Sequence, residues 1–312
     1  MISDNVRTAP PAGVIILDKP EGFTSFDAVA VMRRLLHEKK LGHTGTLDPM
    51  ATGVLPILIG RGTKCADILP DTDKSYTAGF RLGVSTDTQD SGGKVLKEEY
   101  FRQPAEKISA QLEQFRGEIM QVPPMYSAVS VGGRRLYDLA RQGIEVERTA
   151  RKIFIPFLSL TDYDEESGEG TLTVSCSKGT YIRTLIDDIA KSLGLCGGVM
   201  TSLRRTRACG FDISEALSLD ELRALSESGE IYSRIRPLDK LFSGYRSVKI
   251  SEAQSRRFMN GGELALDRTG LRGAGDAERI RVYDRASGDF LGVGVTDAAS
   301  VQLKILKLLK LN

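Results

Sequence analysis

The sequence predicts a mixed α/β (α+β) protein that ends in a small β-rich module. Apolar runs of strand length, such as residues 14–17 and 54–59, are interleaved with segments whose apolar residues recur at helical spacing. After residue 243 the pattern changes to a short helix, a glycine pair and short strands. The 312 residues suffice for one large domain or two smaller ones, at about 150 residues per domain. We therefore expect a first domain over residues 1–243 and a β module over residues 244–312.

The first domain is predicted to start with the strand at residues 14–17, followed by a helix that Ser25 can cap. Tyr76, Ala78, Phe80 and Leu82 alternate with more polar residues, which predicts a strand over residues 75–82. Tyr76 would then point to the same side of the sheet as the core residues.

Two more helices are predicted to open at Pro104 and Thr180, with Gly194 ending the second. The apolar residues assigned to their inner faces are Ile108, Leu112 and Phe115 in the first and Ile182, Leu185, Ile189 and Leu193 in the second. In the β module, Ser251 and Gln254 predict a capped short helix, and strands are predicted over residues 279–283 and 290–295.

Composition excludes several classes of protein. The 41% hydrophobic and 27% charged residues are typical of a globular protein. The N-terminal residues 1–5 show no secretion signal, and the longest apolar runs are far below the ~20 residues that span a bilayer, so we expect a cytoplasmic protein with no membrane partner. The net charge of +2 does not by itself indicate a nucleic-acid partner.

No cofactor is predicted from the chain. The four cysteines are widely spaced without a C-x-x-C pair, and the only histidines are His37 and His43, so neither a zinc site nor a disulfide framework is indicated. Residues 60–64, which read GRGTK, lack the spacing of a nucleotide-binding P-loop and are interpreted as a strand-to-helix turn.

One carboxylate, Asp48, stands alone between Glu38 and Asp67 in a segment punctuated by glycines. Neighbouring lysines and arginines favour its ionised form, which is how a nucleophilic or basic aspartate is kept ready. Pro49 pushes Asp48 away from the α region, so the loop has a restricted shape. The alternative is a polar connection in which Asp48 only caps a turn.

Residues 42–55, GHTGTLDPMATGVL, closely resemble the signature of the TruB family, the bacterial tRNA pseudouridine-55 synthases. Five other segments also resemble motifs of that family, and all of them occur in the family's order along the chain. They are residues 13–20 (GVIILDKP), 73–76 (DKSY), 124–128 (PMYSA), 177–184 (SKGTYIRT) and 203–205 (LRR). Together they cover roughly the first two thirds of the chain, so the resemblance does not depend on one motif.

The resemblance implies a pseudouridine synthase fold with a C-terminal PUA-type β module. It also implies isomerisation of uridine to pseudouridine in the T-loop of tRNA, at position 55. No oxidant, metal or nucleotide is needed for that reaction. The target base lies in a folded loop and must be flipped into the pocket, at a cost of a few kcal/mol.

By the same resemblance, Asp48 is the nucleophile and Arg183 its charge partner. Tyr76 would stack on the target base or take up a proton. His43, Tyr181 and Leu203 would form the substrate pocket, and Lys19 with Pro20 would support the Asp48 loop. Sequence does not decide between attack of Asp48 on the ribose C1′ and a glycal-type elimination.

Each of these residues also has an ordinary structural explanation. His43 could be a loop histidine bonded to backbone, and Tyr76 a packed strand aromatic. Leu203 would be an ordinary strand residue. Arg183 could form a surface ion pair with Asp187, four residues along a helix, worth only about 0.3–0.5 kcal/mol.

Two stretches are locally basic and suit RNA phosphates, although such runs are often only solvated surface. Residues 124–152 include Arg134, Arg135 and Arg141, and residues 201–210 include Arg204 and Arg205. The TruB family has an insertion at the first stretch that orders against RNA, which makes residues 124–152 a candidate RNA-binding insertion.

Two other functions compete with this interpretation. The chain could be a non-catalytic tRNA-binding protein that acts as a folding chaperone, or a related synthase that modifies another RNA with a guide RNA. The set Asp48, Tyr76 and Arg183 favours a catalyst. We expect tRNA to be the partner of a monomer, with no protein partner implied.

Overall fold

The computed structural model describes residues 12–127 and 129–310. The N-terminal residues 1–5 and Ala128, the last residue of the PMYSA segment, lie outside the described residues. The strands are β1 Gly13–Lys19, β2 Leu41–His43, β3 Thr52–Ile59, β4 Lys74–Leu82, β5 Val84–Thr86, β6 Val95–Glu98, β7 Gly117–Gln121, β8 Ser130–Val131, β9 Arg134–Arg135, β10 Arg151–Ile155, β11 Phe157–Asp164, β12 Glu169–Cys176, β13 Gly198–Ala208, β14 Phe211–Asp212, β15 Arg236–Pro237, β16 Arg246–Ile250, β17 Leu264–Ala265, β18 Arg279–Asp284, β19 Phe290–Asp297 and β20 Gln302–Leu308.

The α-helices are α1 Ser25–Leu36, α2 Ala105–Leu112, α3 Leu136–Ala140, α4 Ile182–Ser192, α5 Leu219–Glu227 and α6 Glu252–Met259. Short 3₁₀ helices occur at Gly60–Cys65, Glu113–Phe115, Ile213–Glu215, Ile231–Arg234, Leu238–Phe242 and Leu266–Arg268. The first of these confirms the predicted turn from strand to helix after β3.

The chain divides into two compact units. The first contains the described residues up to Pro49, Val54–Asp71 and the chain from Cys209 onward. The second contains Met50–Gly53 and Thr72–Ala208.

In the first unit, β1 is buried along both of its faces, since residues 14–17 are all nearly inaccessible. A strand covered on both sides reads as a continuous apolar run, which is what made it predictable. The helix that follows is confirmed, but its cap is Thr24 rather than Ser25. Thr24 and Asp27 form a reciprocal capping box, which leaves the hydroxyl of Ser25 for another contact.

The β-rich C-terminal module is confirmed. Its strands run in the order β16-β18-β19-β20-β17, and α6 packs on them. Ser251 and Gln254 form the capping box of α6, as predicted. The module has a hydrophobic core of its own, made of Val248, Ile250, Phe258, Leu264, Leu271, Ile280, Val282, Leu291 and Leu303. The boundary near Gly244 stays a prediction.

In the second unit, β11, β12, β4 and β13 form neighbouring antiparallel strands. The predicted strand with Tyr76 facing the core is confirmed as β4, in which Tyr76 is buried. Helices α2 and α4 cover the far part of the same face, where a narrow apolar gap is lined by Phe80, Leu82, Ile108, Leu112, Leu172, Ile186 and Ile189.

Two helix ends differ from the sequence prediction. Helix α4 starts at Ile182 with Tyr181 at its N-cap, rather than at Thr180, whose hydroxyl instead donates to the Ser177 carbonyl. Helix α2 starts after Pro104 as predicted but ends at Leu112, so Phe115 lies in a 3₁₀ turn. The predicted mixed α/β class with a C-terminal β module is confirmed by these elements. Within the described residues, no helix has the length and apolar character that a membrane crossing requires.

Gly53 is needed where β3 begins to pair with β13. Its φ is +104°, and a Cβ placed there would lie 2.2 Å from the backbone oxygen of Arg205. Gly42, in the same motif, has an open environment, since a Cβ there would meet only the Thr63 side chain at 3.5 Å.

We predict that Gly53→Ala lowers the free energy of unfolding by at least about 2 kcal/mol, because it combines a strained backbone with a clash against main-chain atoms. Gly42→Ala is the matched control and should change stability by less than about 0.5 kcal/mol. Urea denaturation of both variants checks this. Equal stabilities of the two variants would contradict it.

Candidate active site

Asp48 is half-buried and lies in the irregular segment between β2 and β3, in the first unit. The segment is tied down on both sides of Asp48. Thr44 donates its N–H to the Pro56 carbonyl, and its hydroxyl lies 3.1 Å from the Cys209 sulfur. The hydroxyl of Ser25 accepts the N–H of Leu47 at 2.9 Å and lies 3.2 Å from the Leu47 carbonyl.

Lys19 holds the other end of the same segment. Its side chain is 0% exposed, and its ammonium donates to the carbonyls of Pro20 (2.9 Å), Phe23 (2.6 Å) and Pro49 (3.3 Å). The Pro49 carbonyl also accepts the N–H of Gly22 at 2.9 Å. A buried ammonium must be satisfied by such acceptors, so Lys19 fixes the backbone directly after Asp48. These contacts agree with the interpretation of Lys19 as a support for the loop.

His43 is half-buried at the end of β2, where its backbone lies opposite Ile57 in the ladder with β3. It therefore starts the segment that carries Asp48, five residues before it. Among residues 12–127 and 129–310, no group of three or more His, Cys, Asp or Glu side chains is arranged to hold a metal ion.

In the second unit, Tyr76 and Leu203 lie on one face of the sheet. Tyr76 is opposite Val174 on β12 and Arg205 on β13, and Leu203 is opposite Ala78. Directly opposed residues of antiparallel strands share a face, as do residues two apart on one strand. Both side chains are more than nine-tenths buried.

The structure shows that Arg183 is buried and bonded to backbone carbonyls of two other segments. Its guanidinium donates from Nη1 to the Thr88 carbonyl at 2.9 Å and from Nη2 to the Tyr126 carbonyl at 3.0 Å, and Asp90 Oδ2 lies 3.5 Å from Nη1. Arg183 is only 7% exposed, which excludes the surface ion pair with Asp187 as its explanation. No local sequence pattern indicates these three partners.

Asp187 has other partners. It accepts from Gln89 Nε2 at 2.9 Å and from the Lys191 ammonium at 2.8 Å. The neighbouring carboxyl of Asp188 has its pKa raised to about 6, first by burial and then by the charge of Asp187. Burial of an acid beside a like charge accounts for this shift without a catalytic role.

Tyr181 is half-buried at the N-cap of α4, two residues before Arg183. Both of its backbone groups are bonded to the side chain of Gln121, at the end of β7. The sequence did not single out Gln121. Tyr76, Tyr181, Arg183 and Leu203 thus belong to the second unit, three of them at or near the start of α4 or on β13 beside it.

Within the predicted insertion, Arg134, Arg135 and Arg141 are exposed. Arg134 and Arg135 form strand β9 of a small hairpin whose turn is Gly132–Gly133, both with positive φ. The guanidinium carbons of Arg135 and Arg141 lie 5.9 and 5.6 Å from the ring centre of Tyr137. Cation–π contacts of this kind hold two charges together on the surface.

In the second basic stretch, residues 201–210, one of the two predicted phosphate contacts differs from the prediction. Arg204 is exposed and donates to the Thr52 hydroxyl at 3.3 Å. Arg205 is 0% exposed, so its side chain offers no surface to a phosphate, and we do not retain it as an RNA-backbone residue. Alternation along β13 explains the difference, because neighbouring strand residues face opposite sides.

Comparison with protein-family models places residues 33–182 in the "TruB family pseudouridylate synthase (N terminal domain)" and residues 183–243 in the "tRNA pseudouridylate synthase B C-terminal domain". A curated relative from Clostridium kluyveri, named tRNA pseudouridine synthase B, is 42% identical over 95% of this chain and 99% of its own length. The chain belongs to the TruB family. A relative of the same name from Azoarcus sp. is 43% identical over 94% of both chains.

Solved structures share the TruB-type fold. The chain superposes with a TM-score of 0.72 on a protein from the structure "Crystal Structure of a Cbf5-Nop10-Gar1 Complex", with 25% identity over 96% of this chain and 85% of that one. A chain of an H/ACA RNP bound to a substrate RNA containing 2′-deoxyuridine gives a TM-score of 0.71, at 23% identity and the same coverages. The pseudouridine synthase fold expected from the sequence is confirmed.

We predict that Arg183→Lys reduces pseudouridine synthase turnover at least about hundredfold, although the charge is kept. A lysine has no planar fork with which to reach two carbonyls that lie on different segments. Arg116→Lys is the control, because Arg116 is an exposed arginine that also donates to a backbone carbonyl, that of Leu158. Turnover should be measured for both. Full activity of Arg183→Lys would remove Arg183 from the site.

Proposed function

We propose that this protein isomerises uridine to pseudouridine at position 55 in the T-loop of tRNA. One observation carries the proposal: the chain matches relatives named tRNA pseudouridine synthase B at 42–43% identity over nearly their whole length. Its identity to chains of H/ACA particles is only 23–25%. That difference favours a substrate found without a guide RNA.

The proposed chemistry exchanges one bond for another. The N1–C1′ bond of uridine breaks, the uracil rotates, and a C5–C1′ bond forms. The hydrogen of C5 leaves as a proton and N1 gains one, so no oxidant or reductant is consumed. Asp48 is the proposed nucleophile and Arg183 its charge partner. Tyr76 is proposed to stack on the base or to take up the C5 proton, and His43, Tyr181 and Leu203 to bind the substrate.

A uridine in the T-loop has to leave its stack to react, and contacts to the rest of the RNA must offset that cost. Arg134, Arg135 and Arg141 are the proposed phosphate contacts within an insertion of residues 124–152, together with Arg204. Residues 244–312 are proposed to form a PUA-like RNA-binding module. We propose that the protein acts as a monomer in the cytoplasm, on tRNA alone, without a protein partner, metal or nucleotide.

The substrate position can be tested on a complete unmodified tRNA. The tRNA is incubated with the purified protein, and each pseudouridine is located by carbodiimide labelling and primer extension. The proposal predicts one modified nucleotide, at position 55. Modification elsewhere, or only after a guide RNA is added, would contradict it.

Asp48→Asn should bind tRNA with nearly unchanged affinity and lose turnover. The amide keeps the shape of the side chain but removes the nucleophilic charge. Binding is measured by filter retention and turnover by single-turnover kinetics. A rate within tenfold of wild type would take the central role away from Asp48, and loss of tRNA binding would contradict a role for Asp48 in the chemical step alone.

Tyr76→Phe separates stacking from proton transfer, because the ring survives and the hydroxyl does not. If the hydroxyl takes up the C5 proton, the single-turnover rate should fall at least about hundredfold with little change in RNA affinity. A rate near that of wild type would restrict Tyr76 to stacking on the base.

Replacing Arg134, Arg135 and Arg141 together by alanine should weaken tRNA binding. The plot of log affinity against log salt should become flatter, with the magnitude of its negative slope reduced by about 2. The single-turnover rate at saturating tRNA should be largely kept, because phosphate contacts position an RNA without carrying the reaction. The control replaces three exposed arginines that are already in ion pairs, Arg102, Arg116 and Arg223. Equal losses in both triple variants would show a general charge effect.

A further inference from the structure

Helix α4 lacks a cap from its own sequence. The side chain of its N-cap residue, Tyr181, accepts none of the free N–H groups of the first turn. The groups at a helix start need partners when they are buried. Here the partner for Tyr181 comes from a distant strand.

That partner is Gln121, the last residue of β7, which is 2% exposed. Its Oε1 accepts the N–H of Tyr181 at 2.8 Å, and its Nε2 donates to the carbonyl of Tyr181 at 3.1 Å. Two bonds to the two backbone groups of one residue fix its orientation as well as its position. A buried amide that is satisfied in this way is costly to disturb.

The contact is continuous with the helix. The carbonyl of Tyr181 also accepts the N–H of Leu185 at 3.0 Å, which is the first hydrogen bond of α4. Gln121 therefore holds the peptide at which the helix begins. Arg183 follows in the first turn, and its guanidinium bonds to the carbonyl of Tyr126, five residues after Gln121.

The segment from Gln121 to Tyr126 thus forms hydrogen bonds to the first turn of α4 at two points, the backbone of Tyr181 and the guanidinium of Arg183. A second segment, residues 88–89, also bonds to this turn. Arg183 donates to the Thr88 carbonyl, and Thr184 donates to Gln89 Oε1 at 2.8 Å. Of the contacts just described, those of Gln121 act on the backbone of the turn. They decide where the turn starts and hence where the Arg183 side chain departs from it.

We propose that Gln121 is a positioning residue for the reaction, which places Tyr181 and Arg183 without touching the RNA. This inference rests on the function proposed above. Small displacements of reacting groups cost large factors in rate, so the two bonds should matter for the chemical step more than for affinity.

The chain offers a matched control at the opposite end of the same helix. Gln111 donates from Nε2 to the carbonyl of Ser192, the last residue of α4, at 3.0 Å. Gln111→Met therefore removes one bond from a glutamine amide to the backbone at the end of α4, and Gln121→Met removes two at its start. Only the second variant removes bonds near Arg183.

The experiment measures single-turnover rate and affinity on a T-stem-loop RNA for both variants. Gln121→Met should lower the rate at saturating RNA at least about tenfold with an affinity within about threefold of wild type, while Gln111→Met stays within about twofold in both. Equal rates for the two variants would overturn the proposal.

Gln121→Glu gives a second measurement that a merely structural role would not move. Its ionised carboxylate can accept from Tyr181 but cannot donate to it, and regains a donor only when protonated. Burial against a carbonyl favours the protonated form. The rate of Gln121→Glu relative to wild type should therefore rise as the pH falls from about 8 to 6. A flat ratio would overturn the proposal, even if Gln121→Met fails to fold.

Hydrogen exchange separates failure of this inference from failure of the proposed function. The Tyr181 amide, followed in a peptide covering residues 179–185, should exchange faster in Gln121→Met than in Gln111→Met. If wild type forms no pseudouridine in the T-stem-loop, the proposed function is wrong, whatever the exchange shows. If wild type is active and exchange is equal in the two variants, Gln121 does not hold Tyr181.

Discussion

The buried ammonium of Lys19 is the constraint on which the Asp48 segment depends. A lysine that is fully removed from water loses its hydration, and it is tolerated only where acceptors replace that water. Lys19 finds three backbone carbonyls, one of them that of Pro49, directly after Asp48. With Ser25 bonded to Leu47 on the other side, the residue before Asp48 and the residue after it are both fixed. A preorganised carboxylate needs no reordering when substrate arrives.

In the second unit, buried side chains of other types also fix irregular backbone through hydrogen bonds. The start of α4 is fixed by the amide of Gln121, and the guanidinium of Arg183 joins two other segments through their carbonyls. In both units, main-chain groups of irregular segments are held by long side chains that are buried. Irregular backbone that would otherwise need water for its polar groups becomes part of a defined site.

Several strands and helix starts can be predicted from the sequence because their residues recur at regular spacing. Strands β1 and β4 were predicted because their apolar residues run or alternate, and the capping box of α6 because Ser251 and Gln254 have the right spacing. The resemblance of the motifs to the TruB family indicated Asp48, Tyr76 and Arg183. The partners of Arg183, the role of Gln121 and the burial of Arg205 come from residues far apart in the chain, which no local pattern encodes. The start of α4 was misplaced because its cap is supplied by a strand some 60 residues earlier.

The most direct test of the account is release of tritium from a T-stem-loop RNA labelled at C5 of the target uridine, after the protein has been dialysed against a chelator. Formation of a C5–C1′ bond has to expel the C5 hydrogen, so each turnover should release one tritium. We expect release in step with pseudouridine formation, at a rate that the chelator does not change. Binding of the RNA without release, or release only after a metal or nucleotide is restored, would contradict the account.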